Sequence, residues 1–153
     1  MQTPPLILCK NFNELTTTEL YDIFKLRIEV FCVEQNCAYQ DADDKDLQSW
    51  HLIMYDNNKQ LIGYSRLLPD GLSYTGYVSI GRVVTSPLVR KTGIGKILME
   101  KSIEQLNILF GKIPIKISAQ TYLIKFYESF GFKSTGEEYL EDGIPHTKMV
   151  LEK

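Results

Sequence analysis

The chain has 153 residues, of which 44% are hydrophobic, 11% aromatic and 24% charged. These values are typical of one globular domain and exclude a disordered or low-complexity chain. Seventeen basic residues stand against nineteen acidic ones, for a net charge of −2, so nucleic acid is not an expected partner. No apolar run approaches the roughly 18 residues needed to cross a bilayer, so we expect no membrane partner either.

The cysteines indicate the redox compartment. Cys9, Cys32 and Cys37 form an odd set whose spacing fits neither a disulfide framework nor a CxxC metal or redox motif. We therefore predict a reduced, cytoplasmic protein.

The N-terminal third begins with a predicted strand over residues 6–10, followed by a helix. Thr16 and Glu19 have the spacing of a capping box, which predicts a helix that begins near Thr17. Arg27 falls within the apolar stripe of this helix, where it either extends to the helix edge or holds a ligand or a neighbouring carboxylate. The polar stretch from residue 34 to residue 48 is predicted to be a long loop or a short second helix.

The remaining elements follow from apolar periodicity and turn residues. The pattern predicts a hairpin of strands 50–55 and 61–68, a fourth strand over 77–85, a helix over 93–110, a strand over 113–118, a short helix over 121–130 and a final hairpin over 132–151 that turns at residues 141–143. Gly81 lies inside the fourth strand and suggests a bulge there. The order predicts one α/β domain over residues 1–153, with a mixed, mostly antiparallel sheet of six to seven strands flanked by helices.

The acidic segment that contains Asp41, Asp43 and Asp46 is not a predicted metal site. Lys45 and Asp46 occupy positions where an EF-hand needs a ligand and a glycine, and we predict no metal elsewhere. We predict a solvated acidic face, with an acidic rim that attracts a cationic amine as the alternative.

A glycine turn between a strand and a helix carries the clearest chemical signal. Two glycines let the backbone turn so that several amides point one way, and the helix N-terminus adds partial positive charge. Nearby cations suit a pyrophosphate better than a lone carboxylate. The predicted anion site comprises Arg90, Lys91, Thr92, Gly93, Ile94, Gly95 and Lys96. A P-loop and a dinucleotide fingerprint do not fit, because Arg90 and Leu98 stand where each motif needs a glycine.

Several motifs in this order resemble the GNAT family of acyl-CoA-dependent N-acetyltransferases. They are the strand Ile80–Thr85, the Arg-x-x-Gly-x-Gly turn from Arg90, the strand Ile115–Ala119 and the Phe-Tyr-x-x-x-Gly-Phe segment from Phe126. The N-terminal stretch that begins Leu26-Arg27-x-x-Val30-Phe31-x-Val33-Glu34-Gln35, with His51-Leu52 farther on, resembles the ElaA branch. With this stretch added, the resemblance covers nearly the whole chain.

The resemblance implies a fold that splays between strands 4 and 5 and a role for particular residues. The backbone of Val83, Val84 and Thr85 would bind the pantetheine arm and acyl carbonyl, and the amides of residues 91–96 would bind the pyrophosphate. Tyr127 would protonate the departing thiolate. Gln120 stands where many members have an asparagine, so it is a candidate contact to CoA.

The general base is open at this stage. Many family members carry a carboxylate on the fourth strand, but residues 77–85 contain none. The candidates are Glu34, His51, Asp41 or an ordered water chain, with Glu34 and His51 first. His146, near the last strand, is predicted to be structural.

The sequence therefore predicts an enzyme that transfers an acetyl group from acetyl-CoA to a primary amine by direct attack, without a covalent enzyme intermediate. The acceptor is a small-molecule or peptide amine whose identity the sequence leaves open, as it leaves open a homodimer and the acyl-chain preference. The alternatives are a CoA-binding or sensing module without chemistry and an enzyme similar to acyl-homoserine lactone synthases.

Overall fold

The computed structural model describes residues 3–152. Its seven strands are β1 (Leu6–Asn11), β2 (Trp50–Tyr55), β3 (Leu61–Leu68), β4 (Ser79–Thr85), β5 (Ile115–Gln120), β6 (Lys133–Glu141) and β7 (Ile144–Leu151). Its α-helices are α1 (Thr17–Arg27), α2 (Ile94–Phe110) and α3 (Ile124–Glu128). The predicted α/β fold is confirmed.

The first helix begins where the sequence predicts. The Thr16 side chain accepts from the Glu19 amide and the Glu19 carboxylate accepts from the Thr16 amide, which completes the capping box. After α1 the chain widens into a π-helical segment, Ile28–Glu34. Two bonds of the wider period, from Gln35 N to Val30 O and from Cys37 N to Cys32 O, extend it. Such segments are frequent at functional sites.

The strands form two antiparallel sheets, in the orders β1-β2-β3-β4 and β5-β7-β6. A short parallel bridge joins them, with Val78 paired to Ile115 and Lys116 N donating to Val78 O at 3.0 Å. Beyond this bridge no backbone pair connects β4 to β5 within residues 3–152. The two strands therefore separate, as the family resemblance implies.

A bulge bends β4 beside this separation. Tyr64 and Arg66 on β3 face Val84 and Gly81 on β4, so β4 carries one extra residue between the paired positions. The residue that takes the left-handed conformation is Arg82, with φ +51°, rather than Gly81. The ion pairs of the Arg82 side chain, described below, compensate for a conformation that non-glycine residues rarely adopt.

Helices cover both faces of the first sheet because β2 is apolar on both sides. Ile53 packs in a cluster with Ile23 and Leu26 of α1, whereas Leu52 and Met54 pack with Leu98 of α2. A third cluster joins the two sheets through residues of β4, β5, β7, α2 and α3. No helix within residues 3–152 is long and apolar enough to cross a membrane.

Candidate active site

The separation of β4 from β5 opens a cleft of about 780 Å³. One wall is β4, from Ser79 to Thr85, and the other is formed by β5, α3 and the β6–β7 hairpin. The π-helical segment and the loop after it line the same space. This volume lies within the range of small-molecule and cofactor sites.

The β4 wall offers main-chain groups to a ligand. Val83, Val84 and Thr85 all line the cleft, and after Val78 the edge of β4 that faces β5 pairs with no strand in the described part of the chain. Backbone amides and carbonyls on an open strand edge can bind an extended amide-containing chain as an added strand. The predicted pantetheine residues therefore lie at an edge that can accept such an arm.

Of the predicted anion site, Arg90 lines the cleft, and the residues after it lead outside the cleft lining to the N-terminus of α2. Gly93 is the N-cap residue, with φ +87°, and no side chain caps the helix. The first amides of an α-helix lack intrahelical acceptors, and α2 has 17 residues, long enough to present a helix dipole at that end. A β-carbon at Gly93 would meet nothing within 4 Å, so the surface above the turn is open.

Tyr127 reaches the cleft from α3. It is 7% exposed, packs edge-on against Phe126 and Phe132, and lines the cavity. Its hydroxyl has no hydrogen-bond partner among the residues that the structure describes. Burial, with a smaller effect of Tyr122, raises the pKa of Tyr127 to about 12. The phenol is therefore protonated at neutral pH and can donate to a group in the cleft.

Residues 34–37, which we call the strap, bridge both walls. Glu34 accepts from Arg90 Nη2 at 2.5 Å on the β4 side, and Gln35 Oε1 accepts from Gln120 Nε2 at 3.4 Å on the β5 side. Cys37 Sγ contacts the Asp142 carbonyl at 3.5 Å in the β6–β7 turn. Two predicted cofactor-binding residues, Arg90 and Gln120, thus lie in the cleft and are held by the strap.

The acidic segment is neither a solvated face nor a free acidic rim, so both interpretations of the sequence are wrong. Arg27, fully buried, donates to Asp41 Oδ2 at 2.8 Å and to Asp46 Oδ1 at 2.7 Å. Arg66 pairs with Asp43 at 2.6 Å and with Asp46 at 3.1 Å.

Arg82 completes this network through Asp41 at 2.9 Å. Three arginines and three aspartates balance, and their charges pair with one another in the wall of the cleft, which Asp43, Arg66 and Arg82 line. Arg27 holds neighbouring carboxylates, which was one of the two predicted alternatives. Asp41 is therefore an unfavourable choice of base, because both of its carboxylate oxygens accept from arginines.

His51 belongs to β2, an inner strand of the first sheet, and does not line the cleft. It is 1% exposed, Nδ1 contacts the Tyr64 hydroxyl at 2.6 Å and Nε2 contacts the Asp46 carbonyl at 2.9 Å. Burial lowers its pKa below the ordinary value. With both ring nitrogens engaged away from the cleft, this position disfavours His51 as the base.

His146, which the sequence predicts to be structural, lies in the cleft wall. It is opposite Gln120 in the β5–β7 register and opposite Tyr139 in the β6–β7 register. Side chains on β7 alternate between the two faces of the sheet, so the sequence could have indicated which face His146 is on. It could not show that the side chains around the imidazole ring leave an open space beside it.

Comparisons with known proteins agree with this geometry. The model of the acetyltransferase (GNAT) domain family matches residues 19–153. A solved acyl-CoA N-acyltransferase from Pseudomonas aeruginosa superposes with a TM-score of 0.88 at 42% identity, covering 95% of this chain and 99% of that one. The chain belongs to the GNAT acetyltransferase family, whose members use acyl-CoA.

Within that family the chain falls in the ElaA-like branch, as the sequence predicted. Protein ElaA from Escherichia coli is 40% identical over 142 residues, which is 92% of each protein. The crystal structure of that protein superposes with a TM-score of 0.89 and covers 97% of this chain and 99% of the other.

Proposed function

We propose that the protein is an N-acetyltransferase that transfers the acetyl group of acetyl-CoA to a primary amine within a ternary complex. The observation that carries the proposal is a largely buried tyrosine, Tyr127, whose hydroxyl has no hydrogen-bond partner among residues 3–152 and which lines the cleft that opens where β4 and β5 separate. Family membership supports acyl transfer, and the geometry supports the remaining steps.

In this proposal, backbone groups and basic side chains bind different parts of acetyl-CoA. The open edge of β4 at Val83, Val84 and Thr85 holds the pantetheine arm, and the bulge at Arg82 turns backbone groups toward the thioester carbonyl. The N-terminus of α2 binds the pyrophosphate through the amides of residues 91–96. Arg90, Lys91 and Lys96 add positive charge around this site.

The reaction needs an acid at the sulfur atom. As the C–S bond breaks, its electron pair goes to sulfur, and Tyr127 Oη–H supplies a proton to the thiolate. A phenol with a pKa of about 12 stays protonated at neutral pH until the thiolate forms. A backbone N–H of the β4 bulge stabilises the oxyanion, an interaction commonly worth about 3 kcal/mol.

The test is release of free thiol from acetyl-CoA with a panel of primary amines, namely putrescine, phenethylamine, lysine amide and a lysine-containing peptide. Tyr127→Phe removes only the hydroxyl and keeps the packing against Phe126 and Phe132. We expect turnover to fall by about 100-fold and acetyl-CoA affinity to stay the same. Undiminished turnover in Tyr127→Phe would show that Tyr127 is not the acid that protonates the thiolate.

The same assay tests the non-catalytic alternative. A CoA-binding or sensing module would bind acetyl-CoA and release no thiol with any amine. We expect release that depends on the amine, accompanied by the N-acetylated product in mass spectrometry.

A further inference from the structure

We propose that His146 is the general base of this site, and that Glu141 positions the amine and stabilises the charged imidazole. This inference rests on the proposed acetyl transfer. It assigns the general base, because the fourth strand of this chain contains no carboxylate that could act as one. It also gives the substrate class, an amine that can donate hydrogen bonds to a carboxylate and an imidazole at once.

The hydrogen bonds of His146 fix its tautomer. Nδ1 lies 2.7 Å from the Ile144 carbonyl oxygen, which can only accept. The proton of a neutral ring therefore sits on Nδ1, and Nε2 carries the lone pair. The ring is 7% exposed and lies over Tyr139, with centroids 6.0 Å apart and planes at 28°. The orientation of the basic nitrogen is therefore set by the hairpin itself.

Glu141 faces that basic nitrogen. Its Oε2 lies 3.3 Å from His146 Nε2, and both residues line the cleft. With neutral His146 these are two acceptors side by side and no proton lies between them. An amine in the cleft has N–H groups that can donate to both His146 Nε2 and the Glu141 carboxylate. Once the imidazole is protonated, the same carboxylate stabilises its positive charge.

The other candidate bases are less available. The Glu34 carboxylate accepts from Arg90, the Asp41 oxygens accept from arginines, and His51 lies outside the cleft. Asp43 also borders the cleft but is paired with Arg66. His146 is the cleft residue within 3–152 whose basic nitrogen receives no hydrogen bond from the protein.

His146 also lies on the correct wall. Acetyl-CoA along β4 leaves the β5–β7 side for the second substrate, and His146 is opposite Gln120 at the last residue of β5. The base and the acid thus come from different elements, with His146 on β7 and Tyr127 on α3.

The proton balance is complete. The neutral amine attacks the thioester carbonyl, a C–N bond forms, and His146 Nε2 takes the proton that the nitrogen then carries in excess. The C–S bond breaks with its electron pair on sulfur, and Tyr127 protonates the sulfur. The imidazolium returns its proton to solvent and the tyrosinate takes one back, so amine and acetyl-CoA give amide and CoA with no other reactant.

The first experiment substitutes His146→Asn. The Asn amide can still donate to the Ile144 carbonyl, as Nδ1–H does, but it removes the Nε2 lone pair. We expect turnover on the best amine of the panel to fall by about 100-fold, with unchanged acetyl-CoA affinity and unfolding temperature. Glu141→Gln should raise the KM for the amine, whereas Glu138→Gln, the same change at an exposed position of β6 outside the cleft, should not.

Chemical rescue with imidazole distinguishes a catalytic role of His146 from a structural one. Added imidazole should restore part of the turnover of His146→Ala, because it supplies the missing base, and should not accelerate the wild type. Full turnover in His146→Asn, or loss of turnover in Glu34→Gln alone, would overturn the assignment while leaving the acetyltransferase intact. Absence of acetyl-CoA binding by the wild type would instead overturn the proposed function beneath it.

A spectroscopic readout does not depend on the acceptor. The chain contains only two histidines, so nitrogen NMR can assign both rings with one His146→Asn control. We expect the neutral form of the His146 ring to carry its proton on Nδ1, because Nδ1 faces the Ile144 carbonyl, and to leave Nε2 free. A neutral ring with its proton on Nε2 would contradict a role as base.

Discussion

Burial shifts the pKa values of two side chains, Tyr127 and His51, in opposite directions. Tyr127 is buried at the edge of a cleft, where the raised pKa keeps the hydroxyl protonated for its proposed role as acid. His51 is buried on β2, where the lowered pKa keeps the ring neutral between a hydroxyl and a carbonyl. Desolvation is the leading cause of both shifts, so the contacts around each group decide whether the shift serves chemistry or folding.

The lowered pKa of His51 predicts a dependence of stability on pH. An unfolded histidine binds a proton near its ordinary pKa of about 6.5, whereas the folded one does so only at lower pH. The unfolded state therefore binds more protons in that window, and stability is full above about pH 6.5 and declines as pH falls toward the folded pKa.

Urea unfolding at a series of pH values measures this effect. We expect the free energy of unfolding to fall below about pH 6.5, with a slope of at most about 1.4 kcal/mol per pH unit from this one group. His51→Gln should be less stable at neutral pH and should lose that part of the slope. A variant with the same slope as the wild type would show that other groups cause it.

At the level of elements, β4 and the loop before β2 stabilise each other. The bulge places Arg82 in the left-handed region, and its guanidinium pairs with Asp41 and Asp43. Arg27 and Arg66 bring α1 and β3 into the same network. The cleft wall and the acidic loop are therefore expected to unfold together.

Asp46→Asn tests this coupling. The change keeps the shape of the side chain but leaves Arg27 and Arg66 each with one carboxylate fewer in a buried site. We expect a loss of about 3 kcal/mol in the free energy of unfolding by urea titration. The matched change Asp44→Asn, at an exposed position in the same loop, should cost less than about 0.5 kcal/mol. Equal effects would show that the network contributes little.

The elements themselves were largely predictable from the sequence. Turn residues and period-two apolar runs located the β2–β3 hairpin at its observed bounds, and the capping box located the start of α1. The nature of the acidic loop was not predictable, because a row of aspartates has the same local pattern whether water or arginines surround it. Its partners lie up to 41 residues away in the chain.

At the level of the whole molecule, the site exists only where distant segments meet. Glu34 and Arg90 are 56 residues apart in sequence, and Cys37 and Asp142 are 105 apart. The glycine turn and Tyr127 carry local motifs, so the sequence could locate them. His146 carries none, because its proposed role depends on a carbonyl, a carboxylate and a cavity brought together by the hairpin.

The strap gives a prediction at this level. Arg90 is held by Glu34 and is also expected to bind the pyrophosphate, so the two contacts compete. Glu34→Gln releases Arg90 and should lower the Kd for acetyl-CoA by about two-fold to five-fold, measured by calorimetry. Weaker binding by the variant would show that the bridge supports the cofactor site.

The most direct test of the account is calorimetric titration of acetyl-CoA, with desulfo-CoA and ATP as controls, into the wild type and Gly93→Asp. An added carboxylate at the N-terminus of α2 repels the pyrophosphate. Gly136→Asp is the matched control, since Gly136 has a φ of +86° against +87° at Gly93 and neither position has an atom within 4 Å of an added β-carbon. We predict micromolar binding by the wild type and Gly136→Asp, and binding weaker by at least about ten-fold in Gly93→Asp. Absence of binding by the wild type, or equal affinity in Gly93→Asp, would contradict the assignment of the cleft as an acetyl-CoA site.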